Sequence, residues 1–284
     1  MHERRYSAVT DQLSFLLTNR IPRQAFTRFM GWFSRIEHPL VSRPALAAWR
    51  ALADLRLEEA SKARFSSVHE CFVRELKNGA RPVDPDPKVL TSPCDAIVGA
   101  GGMVEGTRVF QAKGFPYALE ELLHDPVLCE RFRDGTYVTL RISSSMYHRF
   151  HAPQDCRVGP VTYFSGDAWN VNPPTLRRVE KLFCKNERAL VRTRLERGGH
   201  ELLLVPVAAV LVASIRLHFL DVRLHLRYRG PNFIPCDAFY AKGAEMGWFE
   251  HGSTILVFAP RGFSLLAREG SVVRVGQPLM RLPA

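Results

Sequence analysis

The chain has 284 residues and carries 39 Lys and Arg against 28 Asp and Glu, which gives a formal net charge of +11. This length can bury one substantial core without metal or disulfide staples, and the six scattered cysteines include no Cys-x-x-Cys pair and are expected to be reduced. The charge predicts an anionic partner, but no nucleic-acid-binding signature accompanies it, so nucleic acid is not expected. No apolar run approaches the roughly 20 residues of a membrane span, and the polar start does not resemble a secretory signal.

The spacing of apolar residues predicts helices in the first 60 residues. Two stripes have the helical repeat, namely Leu13, Leu16 and Leu17, and then Phe26, Phe29, Met30 and Phe33. The first 35 residues also hold six arginines against two acids, a charge that suits a helix lying on anionic lipid. Packing of both stripes on the rest of the protein is an equally weighted alternative. Residues 1–60 are predicted to be a helical, membrane-docking region.

Further elements follow in chain order. Ser42-Arg43-Pro44 predicts the start of a helix reaching Leu57, and residues 68–76 predict another. The sequence PVDPDP at 82–87 predicts a rigid, non-helical connector. Beyond it the apolar period shortens, which predicts strands at 107–112, 137–142, 188–194, 201–205, 210–215 and 254–258, with one helix at 117–123.

The fold class predicted from these elements is α+β, with a β-rich domain over residues 61–284 behind the helical region. The last segment, GSVVRVGQPL at 270–279, resembles the strand-turn-strand ending of lipoyl and biotinyl carrier folds. Such carriers need an exposed lysine at the hairpin tip, and no lysine follows Lys242. A carrier-like strand motif is therefore expected without a carrier function.

Two stretches hold candidate site residues. The sequence EHGSTILVF at 250–258 fits a tight turn at Gly252 that enters a buried strand, which is the ordinary interpretation of its Gly-Ser-Thr triplet. In YHRFHAP at 147–153, His148 and His151 face opposite sides of an extended strand unless the backbone turns, for which Pro153 is suited. One packed and one exposed histidine is the simpler alternative. A zinc pair lacks a third ligand, so no metal site is expected.

Together with other fragments, these stretches resemble the phosphatidylserine decarboxylase proenzymes over about residues 59–282. The fragments occur in the family's order: FVRELKNGARP (72–82), SPCD (92–95), KGFPYALEELL (113–123), YHRFHAP (147–153), NER (186–188), VPV (205–207) with VASI (212–215), and KGAEMGWF (242–249) before GST (252–254). The chain departs from the family at Ala96, Ala208 and Ala213, where glycine is usual, and at His251, where leucine or phenylalanine is frequent. A turn with positive φ at any of these alanines would be strained.

The resemblance implies that the chain cuts itself between Gly252 and Ser253, giving a β chain of residues 1–252 and an α chain of residues 253–284. Ser253 attacks the Gly252 carbonyl, and β-elimination and hydrolysis leave a covalent pyruvoyl group, the cofactor, on residue 253. By motif position, Asp95 orients His151, which acts as the base toward Ser253. His148 is assigned to protonation of the substrate carbon during decarboxylation.

The implied reaction is decarboxylation of phosphatidylserine to phosphatidylethanolamine through a Schiff base with the pyruvoyl group. The expected partners are phosphatidylserine, an anionic membrane surface and the two chains of the same precursor, with a homodimer left open. The expected location is the cytoplasmic face of the cell membrane, as a peripheral protein. Three alternatives stay open: a pyruvoyl decarboxylase of a soluble amino acid or another serine lipid, a Ser-His-Asp hydrolase with an intact chain, and a non-enzymatic module that binds anionic surfaces.

Overall fold

A computed structural model describes residues 22–53, 55–112, 115–210, 214–250 and 253–283. The predicted stripe of Leu13, Leu16 and Leu17 therefore lies outside the described residues. The helices are α1 (Arg23–Phe33), α2 (Pro39–Leu52), α3 (Val68–Phe72), α4 (Leu119–Leu123), α5 (Pro126–Phe132), α6 (Pro173–Leu176) and α7 (Leu182–Lys185). Within the described ranges, none of these helices has both the length and the apolar character to cross a membrane.

Most of the domain consists of strands. These are β1 (Val89–Thr91), β2 (Ala96–Met103), β3 (Arg108–Ala112), β4 (Phe115–Ala118), β5 (Thr136–Ile142), β6 (Arg149–His151), β7 (Cys156–Phe164), β8 (Arg188–Leu195), β9 (Glu201–Ala208), β10 (Ser214–Leu217), β11 (Arg223–His225), β12 (Phe233–Ile234), β13 (Ala238–Tyr240), β14 (Glu245–Phe249), β15 (Ser253–Ala259), β16 (Ser264–Leu265), β17 (Val272–Val273) and β18 (Pro278–Arg281). This content confirms the β-rich α+β class.

The strands form three sheets and a hairpin. A nine-stranded sheet has the order β12-β7-β8-β9-β15-β5-β2-β17, with β13 also paired to β7, and a four-stranded sheet has the order β11-β10-β14-β6. A three-stranded sheet, β1-β18-β16, and the β3-β4 hairpin complete the domain. One apolar layer fills the space between the large sheet and the two smaller ones, and a second packs the outer face of the large sheet against α4 to α7.

Strand β15 lies at the centre of the large sheet, between β5 and β9. All seven of its residues are buried. This is why its sequence, STILVFA, is a nearly continuous run of apolar and β-branched residues instead of an alternating one. The predicted strand at 254–258 is confirmed. The predicted strands at 107–112, 137–142, 188–194 and 201–205 also correspond to observed strands, β3, β5, β8 and β9.

Three helix predictions need correction in their bounds. The helix predicted from Ser42 to Leu57 runs from Pro39 to Leu52. It begins at Pro39 because the His38 side chain caps the first turn and proline at the first helical position has a suitable φ. Pro44 lies inside this helix. The helix predicted over 68–76 ends at Phe72, because the chain then turns so that Leu76 bridges to Ala60.

The helix predicted over 117–123 covers only Leu119–Leu123. Tyr117 belongs to β4 instead, where it pairs with Val109 in the hairpin, and its apolar ring is buried. The side chain of Glu121 accepts a hydrogen bond from the Ala118 amide and so marks the start of the helix. The strand predicted at 210–215 is described only from Ser214, where β10 begins.

The alanines that replace family glycines cause no strain where the structure describes them. Ala96 lies in β2 and Ala208 in β9, and neither has a positive φ. Ala213 is outside the described residues. The carrier-like ending remains a likeness of sequence, since β17 pairs with β2 while β18 pairs with β1 and β16 in another sheet. The connector at 82–87 contains no helix, as predicted, and the six cysteines form no disulfide.

Candidate active site

Ser253 is the first residue of β15 and is fully buried. It pairs with Ile142, the last residue of β5, and with Ala208, the last residue of β9. Paired residues of neighbouring antiparallel strands project to the same face of a sheet. Since Ile142 and Ala208 belong to the apolar layer between the sheets, Ser253 faces this layer as well.

The hydroxyl oxygen of Ser253 has no hydrogen-bond partner among the described residues. A buried polar atom without a partner costs free energy, on the order of 1–3 kcal/mol for a neutral group, and such atoms are uncommon outside sites with a function. Gly252 and His251, the residues before it, lie outside the described part of the chain. The side chain predicted to be the nucleophile is therefore buried at the end of a strand, and its hydroxyl oxygen accepts and donates no hydrogen bond among the described residues.

His148 is also fully buried. Its Nδ1 lies 2.9 Å from the carbonyl oxygen of Met146. A carbonyl can only accept, so Nδ1 carries the proton and Nε2 is left with a lone pair. Nε2 has no hydrogen-bond partner among the described residues. Burial lowers the pKa of His148 to about 3, so that the imidazole is neutral at physiological pH.

His151 lies in β6, three residues on, and both of its ring nitrogens have partners. Nδ1 donates to the carbonyl of Gly243 at 2.8 Å, and Nε2 accepts from the Tyr147 hydroxyl at 3.1 Å. Burial lowers the pKa of His151, against opposing effects of the Gly243 carbonyl and the carboxylates of Glu245 and Asp95. The two histidines thus have the same tautomer, but only His148 has an unoccupied nitrogen.

Asp95 immediately precedes β2, at the same end of the large sheet as Ser253. Its carboxylate accepts from the Arg81 guanidinium, with 2.9 Å between Nε and Oδ1, and from the Val275 amide at 2.9 Å. Arg81 also lies over the Tyr147 ring, 5.9 Å from its centroid. Asp95, Arg81, Tyr147 and His151 therefore form one connected network, in which Arg81 and Tyr147 separate the carboxylate from the imidazole.

An apolar pocket of about 510 Å³ lies between the N-terminal helices and this end of the large sheet. Its wall includes Ile142, the strand partner of Ser253, and Phe72, whose ring centroid is 3.8 Å from that of His148. The pocket therefore shares one lining residue with the surroundings of Ser253 and another with those of His148. The remaining lining residues are Met30, Phe33, Ala45, Trp49, Val68, Arg141, Ser143, Ser144, Asn170, Val171, Asn172, Ala209 and Val210.

The predicted site residues are thus divided between two surroundings. Ser253 and His148 have unpartnered polar atoms and neighbours that line the apolar pocket, whereas Asp95 and His151 belong to the network with Arg81 and Tyr147. Arg81 and Tyr147 stand inside the quoted motifs, but their side-chain contacts join segments distant in sequence. Sequence reasoning did not assign them a role for this reason.

The comparisons with known proteins agree with the motifs. The family model described as phosphatidylserine decarboxylase matches residues 68–281. A phosphatidylserine decarboxylase proenzyme of Myxococcus xanthus is 32% identical over 280 residues, which cover 95% of this chain and 98% of the relative. The proenzymes of Vibrio cholerae and of an Anaeromyxobacter species are 34% and 35% identical, with 94% and 95% of this chain and 98% and 99% of the relatives covered.

The chain is therefore an enzyme of the decarboxylase class. It belongs to the phosphatidylserine decarboxylase family, as the motif resemblance predicted.

Proposed function

We propose that this chain decarboxylates phosphatidylserine to phosphatidylethanolamine and carbon dioxide, after cutting itself between Gly252 and Ser253 and converting Ser253 to a pyruvoyl group. The observation that carries the proposal is the fully buried Ser253 hydroxyl, which has no partner among the described residues and lies at the end of a central strand whose neighbour, Ile142, lines an apolar pocket of about 510 Å³. Family membership supplies the reaction type, and the relatives' name supplies the substrate.

The site fits a pyruvoyl group at residue 253. This group has about the size of a serine residue, and its neighbours on the adjacent strands, Ile142 and Ala208, leave the inward face of Ser253 free of polar competition. When present, the group supplies an electron sink for the carbon that loses carbon dioxide, which no ordinary side chain provides. The fully buried strand end keeps water away from this position.

The proposed roles of the polar residues follow the motif positions. His151 removes the proton from the Ser253 hydroxyl. Asp95 then stabilises the protonated form of His151 through the network with Arg81 and Tyr147. For this step, Nε2 of His151 must exchange the Tyr147 hydroxyl for that of Ser253. His148 serves the decarboxylation, for which its unoccupied Nε2 is available beside the pocket.

The N-terminal helices carry the residues that are proposed to contact lipid. Met30 and Phe33 of α1 and Trp49 of α2 line the apolar pocket, while Phe29 and Trp32 of α1 are more than half exposed to solvent. Exposed aromatic side chains on an amphipathic helix are typical of proteins that lie at a lipid surface. This helix places the pocket next to the surface that would contact the membrane. We therefore include peripheral binding to an anionic membrane, at its cytoplasmic face, in the proposal.

The basic groups near α1 favour an anionic surface. Arg28, Arg35, Arg223 and Arg227 line a second pocket around the buried carboxylate of Glu250. Glu250 forms ion pairs with Arg35 at 2.9 Å and Arg223 at 3.5 Å, so it offsets only part of this charge. Lipid headgroups that carry net negative charge gain from such a cluster.

The test is decarboxylation by purified protein in three forms: wild type, Ser253→Ala and Ser264→Ala. Ser264 is an exposed serine on β16 and is the matched control. We expect wild type and Ser264→Ala to split into two chains and to release carbon dioxide from phosphatidylserine vesicles, and Ser253→Ala to remain one chain without activity. Turnover of free serine or an aromatic amino acid, but not of phosphatidylserine, would replace the lipid substrate by a soluble one.

Hydrolysis of an external ester by an uncleaved chain would instead favour the hydrolase alternative. In that case, wild-type protein stays a single chain on the gel while Ser253→Ala loses esterase activity.

A further inference from the structure

Glu187, in the NER motif that precedes β8, has an unusual environment for a carboxyl group. Its side chain is fully buried, and neither carboxyl oxygen has a hydrogen-bond partner among the described residues. The Tyr163 hydroxyl, on β7, donates to the His225 carbonyl at 3.0 Å and lies close enough to the carboxyl to oppose part of the effect of burial on its pKa. An ionised carboxylate in such a place is strongly disfavoured, whereas a neutral acid is tolerated.

The other two residues of the motif have structural partners. Asn186 bonds the carbonyls of Trp169 and Ala208 at 2.9 Å each, which fixes the end of β9. Arg188 donates to the carbonyls of Leu122 and Cys184, on the helix-covered face of the large sheet. Arg188 therefore cannot neutralise Glu187, and no ion pair of Glu187 is found in the described part of the chain.

Glu187 is aligned with Ser253 across the large sheet. The Ala208 amide donates to the Glu187 carbonyl, and Ala208 pairs in turn with Ser253. Neighbouring strands lie about 4.8 Å apart, so the two Cα atoms are separated by two such spacings, or about 10 Å. Because aligned residues share a face, both side chains point into the layer between the sheets, and Ala208 is the residue between them in this row.

Glu187 and His148 differ in their protonation state at neutral pH. Burial raises the pKa of Glu187 to about 8, against a smaller opposing effect of Tyr163, so the carboxyl holds a proton at neutral pH. Nε2 of His148 holds none, since its pKa is lowered to about 3 and its single ring proton is on Nδ1. The titratable groups on the elements around Glu187 are Tyr163, His225 and Asp167, whose carbonyl accepts from the Glu187 amide.

We propose that Glu187 is the general acid of the decarboxylation, delivering its proton to the substrate carbon held at residue 253. The inference rests on the proposed function, which it deepens. It moves to Glu187 the protonation that the resemblance assigns to His148, and it leaves His148 to accept a hydrogen bond from the substrate at its unprotonated Nε2. Loss of carbon dioxide leaves the electron pair of the broken C–C bond on the α-carbon. A new C–H bond forms with the Glu187 proton, the carboxyl becomes a carboxylate, and water returns a proton before the next turnover. Each turnover consumes one proton and needs no oxidant or reductant.

The experiment compares wild type with Glu187→Gln, which keeps the shape but has no acidic proton. Glu201→Gln, at the opposite end of β9 from Ala208, is the matched control. Glu187→Gln should still split into two chains, with kcat lower by about 100-fold or more and KM unchanged, the usual effect of losing a positioned acid. In wild type and the control, kcat should fall as pH rises through about 8, and Glu187→Gln should lack this decline.

A second measurement does not depend on turnover. In the uncleaved Ser253→Ala protein, infrared spectra should show a protonated carboxyl that loses its proton as pH rises through about 8, and Glu187→Gln in the same background should lack this band. Absence of such a band in Ser253→Ala overturns the inference, as does wild-type kcat in Glu187→Gln. If wild type itself neither cleaves nor decarboxylates, the proposed function fails, while the infrared result still decides the protonation of Glu187.

Discussion

At the scale of single residues, the two histidines of the YHRFHAP motif differ in what their Nε2 atoms contact. Nε2 of His148 is buried beside the apolar pocket without a partner in the described chain, whereas Nε2 of His151 accepts from Tyr147. Side chains alternate between the two faces of an extended segment, so residues three positions apart face opposite sides and meet different surroundings. The structure thus provides two distinct imidazole environments for two proposed reactions.

Alanine substitutions distinguish the proposed roles of these histidines. His151→Ala should remain one chain and be inactive, because the proposed base for Ser253 is missing. His148→Ala should split normally but turn over phosphatidylserine more slowly by about 100-fold or more. Cleavage is measured on gels and decarboxylation by lipid analysis in the same preparations, with His200→Ala, at the far end of the β8-β9 connection, as the control.

The opposite pattern would reverse the two roles. If His148→Ala blocked cleavage and His151→Ala matured normally, His148, with its unoccupied Nε2, would be the base. Normal cleavage and turnover in both variants would make the two histidines structural.

The sequence identified individual side chains better than it identified their contacts. Ser253, His148, His151 and Asp95 could be selected because motifs preserve residue types at short spacing. The contact of Asp95 with Arg81, 14 residues away, depends on how the chain returns to the edge of the sheet. The unpaired state of Glu187 could not be inferred either, because Arg188 beside it in sequence is the natural candidate for an ion pair and faces the other side of the sheet.

At the scale of elements, α1 has two apolar surfaces with different surroundings. Met30 and Phe33 line the pocket, but Phe29 and Trp32 are exposed, with ring centroids 5.8 Å apart. One part of the predicted stripe therefore packs on the domain, as the packing alternative expects, while the other part faces solvent. Docking on lipid remains the proposed use of the exposed part.

Replacement of Phe29 and Trp32 by Asp should weaken binding to anionic liposomes and leave self-cleavage intact. The exposed rings gain free energy by entering the lipid interface, and aspartates lose it and repel anionic headgroups. Co-sedimentation with vesicles measures binding, and high salt should weaken the wild-type interaction as well. Met103→Asp, which changes an exposed apolar residue on β2, is the matched control.

Two results would contradict this account of α1. Unchanged vesicle binding by the double variant would place the lipid contact elsewhere, and loss of folding would assign both rings to the core. Circular dichroism of the variant separates unfolding from weaker binding.

The element predictions succeeded where burial dictates composition and failed where local pattern is ambiguous. The strand at 254–258 has neighbours on both sides, and its apolar run is a direct result. The spacing between Tyr117 and the leucines that follow it, however, fits a helix that includes Tyr117, and it fits equally well a strand that ends just before such a helix. Its pairing with Val109 decides the outcome and cannot be inferred from the stretch itself.

At the scale of the whole molecule, the proposed cleavage would divide the domain without dividing its core. The α chain would contain β15 to β18, and β15 would remain paired with β5 and β9 of the β chain. Six of its seven residues follow Ser253 and are buried in the sheet. The two chains are therefore expected to stay associated after cleavage, held by the ladders of this sheet and its apolar layers.

Intact-mass measurement of freshly purified wild-type protein decides whether the protein makes its own pyruvoyl group at Ser253. We expect two chains, residues 1–252 and a small fragment whose mass equals that of residues 253–284 less one ammonia. Treatment with borohydride should add two hydrogens to this fragment and abolish decarboxylation. A single full-length chain after long incubation, or a small fragment with an intact N-terminal serine, would contradict it.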